Sequence, residues 1–285
     1  MSSLELDAQS YTLLAYPERW RMVCSALPLG ERPVNAPAYE RWASANLHTH
    51  RQREILFCIE GGSFQRFDGR TYRCRPGTVF LFGTGEEHAR GYPPGRDTFV
   101  HLWIMVLADD VIANLYGARN GQAAEPRTPP WVFKKAEGES LIRAWRFAKA
   151  PPAWASAELG CAMLRAAIFP LVCRALENWL AEPAEEARAT RRREIVAVVQ
   201  RHIETHLSEA EDLDTLAHIS GYSKFHFTRM FRACTGQTVH GYIDQCRETR
   251  ARELLAAGTP CKAIAGELGF ASPAAFSNWR RRRGV

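Results

Sequence analysis

The chain reads as an α+β multidomain protein: a small N-terminal β-barrel with flanking helices, then an all-α C-terminal domain carrying tandem helix-turn-helix units. Three observations predict this. Short β-type runs divided by turn dipeptides crowd residues 46–107. Apolar residues at three-four spacing follow between 139 and 180. A stretch near the C-terminus then recurs about 48 residues further on.

Composition fits such a molecule. Of 285 residues, 46% are apolar and 24% charged, enough to bury a core in each of two domains. From Arg191 onward fifteen Lys/Arg face ten Asp/Glu, so this third carries +5 of the net +6. A basic domain joined to a nearly neutral one points to a polyanion as partner of the basic part alone. The longest apolar stretch, from Thr98 to Ala108, is too short to cross a bilayer, so no membrane partner is expected. The opening MSSLELDAQS lacks a basic-then-apolar signal pattern. Eight scattered cysteines without a C-x-x-C pair read as reduced thiols, and a cytoplasmic location is expected.

Residues 1–45 are irregular, with prolines at 17, 28, 33 and 37. Strands are expected at Glu54 to Ile59, Ser63 to Phe67, Thr71 to Arg73, Thr78 to Phe82 and Phe99 to Val106. Gly61-Gly62, Asp68-Gly69, Pro76-Gly77 and Pro93-Pro94-Gly95 separate them. After about 109 the text turns helical, with Gln122 to Pro130 as a proline-rich loop. Helices are expected over Glu139 to Ala150 and Ala157 to Leu180, the second with Leu159, Met163, Ala167, Leu171 and Leu176 on its stripe. These read as packing or dimerisation elements. The charged, alanine-rich Ala181 to Thr190 reads as a linker, giving domains 1–180 and 191–285 around 181–190.

Beyond it, Arg191 to Leu207 forms an amphipathic helix with Ile195, Val198, Val199, His202, Ile203 and Leu207 on one stripe. Asp212 is placed to cap a short helix carrying Leu213, Leu216 and Ala217. Gly221 supplies the left-handed turn, and Ser223 caps the next helix, Lys224 to Cys234. That helix buries Phe227, Met230 and Phe231 and turns Lys224, Phe225, Thr228, Arg229 and Arg232 outward. Val239 to Ala256 is a long helix closed by Gly258. The pattern of Leu216 to Tyr222 then returns as Ile264 to Phe270, and Phe227 to Met230 returns as Phe276 to Trp279.

On these residues the segment from about Glu194 resembles the tandem helix-turn-helix domain of the AraC/XylS transcription regulators. GYSKFHFTRMFRACTG is similar to that family's first recognition helix, and GFASPAAFSNWRR to its second. The resemblance implies a sequence-specific DNA-binding regulator, not an enzyme, whose two recognition helices enter successive major-groove segments. It would bring Phe225, Thr228 and Arg229 to bases, and Lys224 and Arg232 to phosphates. The second unit departs from the pattern. Pro273, Ala274, Ala275 and Asn278 stand where polar or basic readers are usual, and Arg280 replaces a phenylalanine. Its DNA-facing candidates are Ser277, Asn278, Arg280 and Arg281, and Arg280 to Arg283 are expected to contact mainly phosphates. The sequence ends at Val285 without the closing helix of the family pattern.

Upstream, His48-x-His50-x-x-x-Glu54 is followed by Gly61, Gly77, Gly85 and His88. This resembles the two motifs of the cupin superfamily, whose enzymes hold a divalent metal with three His and one Glu. Gly83 stands where those motifs usually have proline. AraC-type regulators commonly carry a cupin-like sensing domain, and PGTVFLFGTGEEH and FVHLWIMV look like one. Three readings stay open for His48, His50, Glu54 and His88: a pocket binding a small-molecule effector such as a sugar, a structural set, or a site for divalent Zn, Fe, Mn or Ni. Aromatic and polar walls for an effector are offered by Trp42, His101 and Trp103. The expected partners are double-stranded DNA, the effector, a second copy of the chain as a homodimer, and RNA polymerase. The rival readings are a metal-dependent cupin enzyme with an appended DNA-binding domain, and an architectural DNA binder.

Overall fold

The computed structural model describes residues 8–25, 30–95, 97–107, 110–124, 130–133, 135–180, 185–208 and 212–285. The chain divides into two compact units, Met1–Arg188 and Ala189–Val285.

The first unit opens with α1 (Ala8–Ala15), a 3-10 turn (Pro17–Arg19), β1 (Arg21–Val23) and α2 (Pro37–Ser44). Strands β2 (Leu47–His48), β3 (Arg53–Glu60), β4 (Phe64–Phe67), β5 (Arg70–Arg73), β6 (Thr78–Phe82), β7 (His88–Ala89) and β8 (Phe99–Val106) follow. The unit continues with β9 (Val111–Arg119), β10 (Gln122–Ala124), β11 (Trp131–Phe133), α3 (Lys135–Lys149) and α4 (Ala157–Leu180).

Among the described residues the strands do not form the expected barrel. They make two separate sheets, one ordered β1-β6-β3-β8-β9-β10 with β11 also on β9, the other β2-β7-β4-β5. The expected fold class is corrected accordingly: a cupin-like barrel requires closure, and neither sheet pairs its last strand with its first. Alternation and turn residues specify strands and hairpins, which open sheets and barrels share; closure depends on long-range pairing that local text does not encode. The helical reading after 109 is also corrected, since β9, β10 and β11 occupy that stretch. Gln122 to Ala124 pairs with β9 instead of looping, and residues 125–129 lie outside the described residues.

Both faces of the larger sheet are covered. Ile55, Phe57, Val79, Leu81, Leu102 and Ile104 face the helices, sharing a core with Leu141, Trp145, Leu164, Ile168 and Leu176. Leu56, Cys58, Phe80, Phe82 and Trp103 share the other core with Phe67 and Tyr72 of the smaller sheet. The period-two alternation of a strand therefore serves two apolar cores, which is why β3 and β8 read as continuous apolar runs. Contrary to the sequence expectation, one segment does have the length and apolarity to cross a membrane. It is Ala157–Asn178 within α4, with mean hydropathy 1.7. Leu164, Ile168, Leu171, Val172 and Leu176 of this helix belong to the core against the sheet.

Residues 185–190, inside the expected linker, are helical and run into α5 (Glu185–Thr205); 181–184 lie outside the described residues. The second unit continues with α6 (Leu213–Ser220), α7 (Lys224–Thr235), α8 (Val239–Ala256), α9 (Cys261–Glu267) and α10 (Pro273–Arg283). Its helix starts are set by side-chain caps. Asp212 accepts from the Asp214 N–H, Ser223 from His226, Thr238 from Gly241 and Ser272 from Ala275. Gly221 ends α6 at φ 71°, and Gly269 makes the matching turn at φ 74°. Ile195, Val199, Ile203, Leu216, Phe227, Phe231 and Ile243 are buried in the first half of this unit, Ile264, Phe276 and Trp279 in the second.

Candidate functional site

Burial of Phe227, Met230 and Phe231 fixes the rotation of α7 and so decides what its other face presents. Lys224, Phe225, Arg229 and Arg232 are exposed and Thr228 is half-buried. Phe225 is 71% exposed, a large ring open to water. The Arg229 guanidinium lies over it, 5.4 Å from the ring centroid, a cation–π contact that holds both side chains together. Lys224 Nζ is paired with Asp214 Oδ2 at 2.7 Å, so reaching a phosphate means exchanging one anion for another. The Thr228 hydroxyl donates back to the Lys224 carbonyl at 2.9 Å, which leaves its methyl as an apolar contact group.

A groove of about 620 Å³ runs beside this face, lined by Arg192, Arg193, Phe225, His226, Arg229 and Met230 among others. Arg192, Arg193 and His226 are absent from the sequence-based site. The signal for them was the basic run at 191–193, which also fits the solvated side of an amphipathic helix.

On α10, Ser277 and Asn278 are exposed, the Ser277 hydroxyl donating to the Pro273 carbonyl at 2.9 Å. The four arginines expected to meet phosphates divide into two kinds. Arg280 is half-buried and its Nε donates to the Val285 carbonyl at 2.7 Å. Arg283 pairs with Glu248 at 3.0 Å and with Asp244. Arg281 and Arg282 are exposed.

In the first unit β2, β3, β7 and the connection from β2 to β3, which carries His50, bring His48, His50, Glu54 and His88 together, one ligand-capable atom of each lying within 4.8 Å of the others. Register does this: His48 and His88 are cross-strand partners in the small sheet. Glu54 Oε2 lies 3.2 Å from His50 Nε2 and 3.4 Å from His88 Nε2. Each imidazole has its Nδ1 at a backbone carbonyl: His48 at His88 (3.1 Å), His50 at Gln52 (2.8 Å) and His88 at Glu86 (3.0 Å). An Nδ1–H donated to a carbonyl leaves Nε2 as a lone-pair donor, the arrangement common to metal-binding histidines. Burial opposes a charge on His50, yet the hydrogen bond and negative charge of Glu54 outweigh it and hold its pKa above the usual value. Gly83 now has a reason: its N–H donates to Glu86 Oε2 at 2.5 Å, a bond proline could not make.

The three expected walls separate. Trp103 reaches the cluster through Phe82, which stacks on His88 at 4.0 Å and on Trp103 at 5.9 Å. Trp42 packs instead with Tyr39, 5.6 Å between centroids, in a small core of its own. His101 belongs to another group of donors, with Cys58 and Cys74.

Comparison with known proteins covers both units. Residues 216–283 match the family model described as a helix-turn-helix domain, and 37–133 the one described as an AraC-like ligand binding domain. The regulatory protein SoxS of Salmonella typhimurium is 38% identical over 90 residues, 31% of this chain and 84% of that protein. The HTH-type transcriptional regulator YbfI of Bacillus subtilis is 24% identical over 225 residues, 78% of each chain. Among solved structures, the DNA-binding domain of AdpA in complex with a target DNA is 33% identical, covering 32% of this chain and 83% of that one, with a TM-score of 0.29. The relatives are described as a regulatory protein and an HTH-type transcriptional regulator, in agreement with the expectation of a regulator and not an enzyme.

Proposed function

Since the chain belongs to the AraC/XylS family of DNA-binding transcription regulators, we propose that α7 reads sequence through Phe225, Thr228 and Arg229 while α10 adds a mainly electrostatic grip. The observation that carries this is the exposed Phe225 ring with Arg229 held over it on a capped helix anchored by buried Phe227, Met230 and Phe231. A guanidinium can donate two hydrogen bonds to guanine O6 and N7, and an aromatic ring or threonine methyl can pack on a thymine methyl. Arg232, with Arg192 and Arg193 beside the groove, supplies phosphate contacts on this reading, and Lys224 does so on exchanging Asp214 for a phosphate. On α10 the grip falls to Arg281 and Arg282, because Arg280 and Arg283 already have intramolecular partners. Salt dependence separates these roles. The Arg281→Ala/Arg282→Ala double variant is expected to flatten log Kd against log salt by roughly two units, about 0.9 for each phosphate left without its arginine. Arg280→Ala should leave the slope unchanged. A double variant with the slope of the unaltered chain removes the phosphate role.

The effector of this regulator binds in the first unit, on our reading at His48, His50, Glu54 and His88. Three imidazoles, each with Nδ1 at a backbone carbonyl, gathered with the Glu54 carboxylate, support a divalent Zn, Fe, Mn or Ni held there. Such a cation, when bound, supplies a Lewis-acid anchor for an oxygen-rich effector such as a sugar. Purified chain is expected to carry close to one equivalent of divalent metal, and Glu54→Ala to lose most of it together with effector-dependent DNA binding. Metal-free wild-type chain whose DNA binding ignores both chelator and Glu54→Ala would overturn this assignment.

A further inference from the structure

We propose that Cys58, Cys74 and His101 form a second metal site, a two-sulfur, one-nitrogen centre for Cu(I), distinct from the His–Glu cluster. The fold assembles it from both sheets. Cys58 on β3 and His101 on β8 are cross-strand partners, and Cys74 follows β5 of the smaller sheet. The two sulfurs and a ring nitrogen of His101 lie within 4.8 Å of one another. All three residues are closed to water, at 0%, 1% and 0% exposure for Cys58, Cys74 and His101.

The imidazole is the telling member. His101 Nδ1 is 2.9 Å from the Tyr92 hydroxyl, whose oxygen accepts from Trp103 Nε1 at 2.8 Å. Nδ1 is thus anchored and oriented from behind, as the non-ligating nitrogen of a metal-bound histidine usually is. His101 Nε2 is buried and has no hydrogen-bond partner among the described residues. A buried polar atom without a partner is costly and calls for an explanation, of which an ion is one. Apolar packing accounts for two buried thiols, but a leucine would fill the place of His101 without the cost of an unmet nitrogen.

The donor set selects the ion. Two thiolates and an imidazole in a dry pocket favour a soft cation over Mg²⁺, Ca²⁺ or Mn²⁺. Zn²⁺ takes four ligands in closed protein sites, and this group offers three. Cu(I) accepts three, and on uptake it displaces thiol protons to water. A regulatory disulfide fits less well, because exchange needs a thiol open to its redox partner and both sulfurs belong to closed residues.

Anaerobic titration of the full chain with Cu(I), against a chromophoric Cu(I) chelator, tests the site. One tightly held equivalent is expected, and X-ray absorption on the loaded chain should show two sulfur neighbours and one nitrogen. Cys58→Ala and Cys74→Ala should each weaken retention at least tenfold, with the exposed Cys261→Ala unchanged. Thermal unfolding will show whether each variant is folded. Copper that stays on the chelator, or protein-bound copper with only nitrogen and oxygen neighbours, overturns the proposal without recourse to any variant.

Discussion

Replacing Arg229 with alanine is expected to weaken binding to the specific DNA site by about 1–3 kcal/mol, roughly 5- to 150-fold, while non-specific binding falls far less. The asymmetry comes from what the side chain does. A phosphate contact is blind to sequence, so its removal weakens all duplexes alike. A bidentate pair with guanine matters only where that guanine stands. Arg229 is also held over Phe225, so the two should behave as a unit, with the Phe225→Ala/Arg229→Ala double variant losing less than the sum of the singles. Fluorescence anisotropy at one salt concentration, on specific and scrambled duplexes, measures both effects. Equal weakening on the two duplexes would reduce Arg229 to a phosphate contact.

Gly269→Ala is expected to destabilise the second unit by about 2–5 kcal/mol, combining left-handed strain with overpacking. Gly269 has φ 74°, and a β-carbon there would sit 2.6 Å from the Ser208 carbonyl oxygen and 2.7 Å from Ser208 Cα. Those are backbone atoms just beyond α5, so relief requires moving the turn between α9 and α10. Gly258 is the control. Its φ is also 74°, but nothing lies within 4 Å of its added β-carbon, and Gly258→Ala should cost only about 1–2 kcal/mol of strain. Thermal unfolding of the full-length variants, followed by helical circular dichroism, ranks them. Equal melting of the two variants would mean that the close approach to Ser208 contributes nothing.

The helix-turn-helix units were legible because their determinants are local. Asp212 and Ser223 cap, Gly221 turns, and Phe227, Met230 and Phe231 repeat at helical spacing, all within a span of about 20 residues. The His–Glu cluster was legible for a related reason: His48, His50 and Glu54 lie close in sequence, and one strand pairing adds His88. What escaped depends on distant partners. Barrel and open sheets share the same hairpin text, so closure could not be read. Ala113, Asn114 and Gly117 dilute the β signal of β9, whose strand state is fixed by pairing with β8. Arg283 looked available for DNA until Asp244 and Glu248 of α8 were brought beside it. Cys58, Cys74 and His101 have no motif spacing, and only sheet register and sheet stacking unite them.

The unequal division of labour between α7 and α10 is tested most directly by selecting binding sites for the full chain from a pool of randomised duplexes. If α7 reads and α10 grips, sequence information concentrates in one major-groove segment, and its preferred guanine disappears from sites selected by Arg229→Ala. The neighbouring turn of DNA should be protected yet free in sequence. Two segments of comparable information one helical turn apart, about 34 Å, would contradict that division.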